Sequence, residues 1–470
     1  MKKSRLVHIL STFSAKELRD FSKWLASPLH NQREDVTRLF DYLTARDHLQ
    51  KDKFLIKERV FSQVYPSETY DDAKMRQAIF FLLKQIENFL IYQELIADEV
   101  RSKTTLAGVY RKRHLDKSCD KTLRLVEQLQ EKHPFRDEQF LRNDYLFQKE
   151  KYSYLSSFQR TTLNLQEMSE TLDATYIAEK LRQSCLMLAH QNVFKSDYQI
   201  GLLNEILNYV EQNDGLKTPA IAIYYYGYKT ITKQEDETHF FALKNEINNH
   251  GNIFPEYEIR NIYLMAINYC IKKMNTGNIL FIREAFELFK TGFSKRLLIE
   301  NNIISKATFL NVVIIGTQLK EFEWIENFIY DYQKYLENHH RENIVIYSLA
   351  SLYFEKGDYN KSMQYLVKHE IDDLLLNLNS KSILLKMYYE KNEFDALESL
   401  LGSFTTYLQR KKVMGYHKAT YSNIIKLTKK LLKVNPYDKQ EIQKLKVQIE
   451  NTNPLTSSNR KWLLLQVEKL

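Results

Sequence analysis

The stretch IYSLASLYFEKGDYNKSMQYL, from Ile346 to Leu366, decides the fold. Ile346, Leu349, Ala350 and Tyr353 recur at the three-to-four spacing of a helix, and Ser362 and Leu366 resume that spacing beyond Gly357-Asp358-Tyr359. Glycine readily takes the left-handed conformation that ends a helix, so Gly357-Asp358 reads as a turn. The segment predicts a helical hairpin.

The pattern recurs on both sides. About 35 residues later, Leu384, Tyr388, Asn392-Glu393-Phe394, Leu397 and Leu401 repeat the layout; about 37 residues earlier, Lys320-Glu321-Phe322 precedes Ile325 and Ile329. This run resembles the tetratricopeptide repeat, a helix–turn–helix unit of about 34 residues. The resemblance covers about 300–405; a looser likeness covers 218–300, where Ala222 and Tyr225 precede Ala242, and Ala266 and Tyr269 precede Ala285 and Phe289 across longer turns. It implies that Ala350 and Ser362 are the small residues through which paired helices approach, with Tyr353 in the gap. Leu397 departs from the small residue expected there, and Gly316 stands where a tyrosine belongs. The first helix of each such pair lines a concave groove. That implies a partner surface of Tyr347, Ser351, Phe354, Ser382, Lys386 and Tyr389, suited to an extended peptide with an acidic group. The alternative is a further helix, about 421–434, lying over this groove and turning Tyr347 and Tyr389 into ordinary core.

Composition carries the same message along the whole chain. Only 11 Gly and 7 Pro occur in 470 residues, so the breakers that strands and their turns require are scarce. No two glycines lie within ten residues of each other, which removes P-loops, GxGxxG fingerprints and GxSxG elbows. The fold class expected is all-α: a helical-repeat, tetratricopeptide-like solenoid preceded by an N-terminal helical module.

That module spans residues 1–115. Ser14 and Glu17 form a capping box ahead of Leu18, Phe21 and Leu25; Pro28 ends the first helix, and Asn31 with Glu34 marks a second start. Asp71-Asp72 opens a long apolar helix from Met75 to Tyr92, and the basic cluster from Tyr110 to His114 marks a boundary. Beyond it, helices are expected near 119–132, 136–157, 162–193, 198–212, 218–232, 238–249 and 256–275. The divisions are then degenerate repeats over 116–300, clearer repeats over 301–405 and basic helices over 406–470. The whole chain also resembles a helical-repeat family common in Bacteroidota, through Trp24-Leu25-Ala26-Ser27-Pro28, Tyr70 to Arg76 and Phe322-Glu323-Trp324. That family has no established activity, so the likeness speaks to fold alone.

Charge is concentrated at the end. Residues 404–470 hold 14 Lys/Arg against 4 Asp/Glu, while the other 403 residues hold 54 against 55. Arg410, Lys411, Lys412, Lys426, Lys430 and Lys433 form the candidate basic patch, the last three sharing one helical face opposite Ile424, Leu427 and Leu431. Such a stripe meets nucleic-acid phosphates, meets an acidic protein, or is the solvated face of a capping helix.

Chemistry is otherwise sparse. Cys119, Cys185 and Cys270 lack metal-ligand spacing and read as reduced thiols, two of them on apolar faces. His339 and His340 are adjacent and expected to diverge by about 100° on a helix. No catalytic residue, cofactor or metal site is expected. Without a signal-peptide core or a membrane-spanning run, the expectation is a cytoplasmic protein with no membrane insertion. The function expected is a protein-binding scaffold or adaptor whose partner is another protein or peptide, with a nucleic-acid-associated factor as runner-up and an enzyme third.

Overall fold

The computed structural model describes residues 1–158, 162–194, 196–369, 371–410 and 415–470. It is all-helical: 23 α-helices and no β-strand among the described residues, with a lone bridge between Glu300 and Ile303. The helices expected from sequence spacing are present, most with shifted ends, for example Asp116–Glu131, Glu138–Leu155 and Leu165–Phe194, and Glu256–Asn275 with the ends expected. No described helix is long and apolar enough to cross a membrane.

The chain forms two compact units, one of Met1–Lys180 with Asn208–Ile221, the other of Leu181–Leu207 with Ala222–Leu470. Residue 115 falls in the turn of a closely packed hairpin between helices Glu99–Lys112 and Asp116–Glu131, and the units divide elsewhere.

In the first unit, the Ser14–Glu17 capping box opens the helix Ala15–Ala26, as its spacing required. Phe21, Leu25, Val36, Leu39 and Phe40 from the first helices pack against Met75, Ala78, Leu82 and Ile86 of the long helix Asp72–Ala97. Trp24 stacks on His30 and donates its indole N–H to Gln85 Oε1 at 3.2 Å, which pins the chain as it turns at Pro28. Asn31 is not the start of the next helix, which runs Glu34–Thr44 without a side-chain cap. Instead its amide accepts from the Arg33 N–H and donates to Leu25 O and Thr37 Oγ1, so it braces the loop.

In the second unit, helices Lys306–Gln318 and Phe322–Tyr332, Asn338–Glu355 and Tyr359–Lys368, and Leu374–Glu390 and Phe394–Arg410 form consecutive hairpins. Their turns are built alike. Gly357 N–H donates to Phe354 O and Asp358 N–H to Tyr353 O; Asn392 and Glu393 repeat this on Tyr389 and Tyr388, and Lys320 and Glu321 on Thr317 and Gly316. This pair of bonds, reaching three and five residues back, closes a helix through one left-handed residue. Gly357 (φ +83°), Asn392 (φ 56°) and Lys320 (φ 60°) occupy that position. A glycine-poor chain thus turns by using asparagine and lysine where glycine is the easier choice.

Packing within a hairpin follows the small residues. Ala350 is fully buried, and Ser362 donates its hydroxyl to Ala350 O at 2.7 Å across the helix pair. Tyr353 lies flat against Tyr365 and donates to Glu326 Oε1 at 2.6 Å on the preceding hairpin. The first helices of successive hairpins also touch: Lys306–Gln318 meets Asn338–Glu355, which meets Leu374–Glu390; Leu374–Glu390 in turn meets Gly415–Leu431, which meets the last helix, Ser457–Glu468.

Candidate functional site

The six residues expected to line an open groove sit together on Asn338–Glu355 and Leu374–Glu390, but much of that surface is covered. Tyr347, Ser382 and Lys386 are buried, while Ser351, Phe354 and Tyr389 are half-buried. An open groove lined by all six is therefore corrected. The cover is not a helix at 421–434 acting alone. Gly415–Leu431 brings Tyr421, whose hydroxyl donates to Asn379 Oδ1 at 2.7 Å, and Ser457–Glu468 lies over Lys386 and Tyr389. Trp462 meets Tyr389 edge-on at 5.5 Å, and its indole N–H donates to Glu390 Oε1 at 2.7 Å. Tyr359 also donates to Glu390.

Lys386 is the unusual member of this set. Only 6% of it is exposed; its ammonium donates to Ser458 Oγ at 3.4 Å and lies 5.9 Å from the Trp462 ring. Loss of water pushes its pKa down to about 8, although the nearby Glu355 and Glu390 carboxylates pull the other way. The unfolded chain holds this proton up to about pH 10.4, whereas the native chain releases it near pH 8. Fewer native protons in that window mean that native stability rises with pH across it, and that the full cost of burial is present below about pH 8. Lys386→Met is therefore expected to be more stable than the parent at pH 7, with the difference shrinking by about 1 kcal/mol by pH 9. Urea denaturation of both proteins at the two pH values checks this; a constant difference means that Lys386 keeps its proton. Cysteines and tyrosines that titrate nearby are common to both and cancel.

The basic residues meet a different fate. Helices Phe394–Arg410 and Gly415–Leu431 flank a surface groove of about 680 Å³ lined by Lys418, Lys426, Lys429, Lys430 and Lys433. Lys426, Lys430 and Lys433 thus share one face, with Lys433 just past the helix end. All three are exposed. Lys430 donates to Gln448 Oε1 at 2.7 Å. Ile424, Leu427 and Leu431 on the opposite face are buried, which is what turns the lysines outward. Among the described residues, no aspartate or glutamate lines this groove. Arg410 is exposed at the end of its helix and is not among the lining residues; Lys411 and Lys412 lie outside the described residues.

Sequence spacing left out Lys418 and Lys429 as members of the face, although both continue its three-to-four rhythm. It also missed Thr405, Leu408 and Gln409, which the preceding helix contributes. No periodicity within one helix signals a wall supplied by another.

The remaining chemical candidates are quiet. Cys119, Cys185 and Cys270 are free and buried, and burial raises the first two thiols to about 11 and about 12. Thiols held this high are not thiolate nucleophiles at neutral pH. His339 and His340 do not diverge: at the start of Asn338–Glu355 their ring centroids lie 3.8 Å apart, close to the Glu337 carboxylate. Glu337 and His339 are exposed, and surface groups of this kind are common without an ion. A scan against models of protein families, a search of curated proteins and a search of solved structures each return no match.

Proposed function

We propose that this chain is a non-catalytic scaffold that binds another protein through a tetratricopeptide-like solenoid, and that it works in a reducing, cytoplasmic setting. The observation that supports the reading is recurrence: three consecutive hairpins share one turn geometry, and their first helices pack on one another. Hairpins that bury their faces only by stacking generate long surfaces, and such surfaces serve binding. The likeness to the Bacteroidota repeat family belongs to the same proposal. Because Tyr347, Ser382 and Lys386 are buried and the last helix lies over Lys386 and Tyr389, the partner surface moves outward to the basic C-terminal helices. The concentration of lysine there favours one second reading, a nucleic-acid-associated factor.

Affinity capture with the full chain from native lysate, in low and high salt and with nuclease, separates the two. A protein retained after nuclease and released by salt is the expected result. Recovery of nucleic acid, with every protein lost on nuclease treatment, favours the second reading and overturns the first.

A further inference from the structure

The outer face of the long helix Asp72–Ala97, in the first unit, is rich in side chains that usually lie inside a protein. Phe80, Ile91, Tyr92, Leu95 and Ile96 are each at least 50% exposed, while Met75, Ala78, Leu82 and Ile86 pack inward from the other side. Phe80, Lys84, Glu87, Ile91 and Leu95 follow one another at three- and four-residue steps. They therefore form one stripe along about four turns, roughly 22 Å, with Glu94 at its edge. Half-exposed side chains of this size show roughly 100 Å² each, so Phe80, Ile91, Tyr92 and Leu95 together present roughly 400 Å² of apolar surface. Exposed patches of that size are often functional.

We propose that this stripe is the interface between two copies of the chain, packed as an antiparallel helix pair about a two-fold axis. The proposal stands apart from the scaffold reading. Its basis is that the stripe complements itself when reversed. With the axis between Glu87 and Asn88, Phe80 of one copy is level with Leu95 of the other, and Lys84 is level with Ile91. Lys84 then lies between the other copy's Glu87 and Glu94, one turn to either side, and the axis repeats that arrangement. Among the described residues, neither Lys84 nor Glu94 has an ion-pair partner within the chain, and Glu87 uses one oxygen on Arg5 at 2.9 Å. An unrelated partner gives no reason for lysine and glutamate to answer each other in this way. With the polar residues between them, the apolar side chains approach the ~800 Å² that each partner gives to a standard interface.

Sedimentation velocity on the full chain, from about 1 to 100 µM at physiological salt, is expected to show monomer passing to dimer. Combining Ile91→Glu with Leu95→Glu is expected to weaken self-association by more than about tenfold, because both apolar contacts become carboxylates. Lys84→Glu alone, and Glu87→Lys combined with Glu94→Lys, are each expected to weaken it by about tenfold, since like charges then face each other. An equimolar mixture of these last two variants places opposite charges across the axis again, and is expected to associate within about threefold of the parent. The changed residues lie on the outer face of the helix, so an unchanged melting temperature for each variant is the accompanying control.

A parent that stays monomeric at every concentration overturns the proposal. A dimer that survives the Ile91→Glu and Leu95→Glu combination overturns it as well, because the contact then lies elsewhere. Association lost in the charge variants and not recovered in their mixture overturns the antiparallel two-fold arrangement. Recovery in the mixture supports it, and is a result that another protein seated on the same face does not produce. None of these outcomes depends on what the lysate capture returns, so self-association and the scaffold reading fail separately.

Discussion

Replacing Ala350 with tryptophan is expected to destabilise the second unit by about 3 kcal/mol or more, at the upper end of what overpacking costs. Ala350 is fully buried where two helices of a hairpin meet, close enough for Ser362 to reach its carbonyl oxygen at 2.7 Å. An indole has no free volume there, because interiors are already packed as densely as organic crystals. The helices must separate, which also breaks the Ser362 bond and unseats Tyr353 from Tyr365. Ala350→Ser, which adds one atom, is the matched control and is expected to cost far less. Chemical denaturation followed by circular dichroism reads both; an unchanged midpoint for Ala350→Trp means that the hairpin contact lies elsewhere.

Gly316 supplies the second large effect, and here the sign itself is informative. In a solvent-facing helix, Gly→Ala stabilises by about 1 kcal/mol, because alanine loses less backbone freedom on folding. Gly316 lies within the helix Lys306–Gln318. A methyl group there would sit 2.5 Å from Ile325 Cγ1 and 3.0 Å from Phe286 Cε2, with Ile325 Cδ1 nearer still. Both neighbours are fully buried and have no room to retreat. Gly316→Ala is therefore expected to destabilise by about 1–3 kcal/mol. Gly316→Tyr, which adds a whole phenol ring to the same space, is expected to cost more. A rise in melting temperature for either variant overturns the packing described around Ile325.

These two positions show how far the repeat signal carries. At Ala350 the small residue, the turn at Gly357 and the contact with Ser362 all stand where the hairpin spacing puts them. At Gly316 a departure from the pattern is matched by its surroundings: Ile325 from the next helix fills the space that a tyrosine would take. The spacing locates the position, but only the neighbour explains the residue.

The basic region divides in the same way. Lys426, Lys430 and Lys433 share a face because Ile424, Leu427 and Leu431 are buried on the other, a relation contained in one helix and so legible from its period. Leu408 and Thr405, the opposite wall of the groove, come from another helix and could not be placed beside those lysines by counting residues.

By itself, then, the amino-acid sequence determined the helices, the hairpins and the turns between them, because each depends on apolar spacing and backbone angles within about 35 residues. It determined as well that the positive charge lies at the end of the chain. Only the tertiary structure decided which faces stay open. Lys386 and Glu390 are covered by Ser458 and Trp462, partners 72 residues further along the chain. A helix with apolar and charged side chains around much of its circumference does not announce which neighbour will take which face. That choice is made by the summed burial and hydrogen bonding of distant segments, and it buried Tyr347, Ser382 and Lys386 of the expected groove while leaving Lys426, Lys430 and Lys433 exposed.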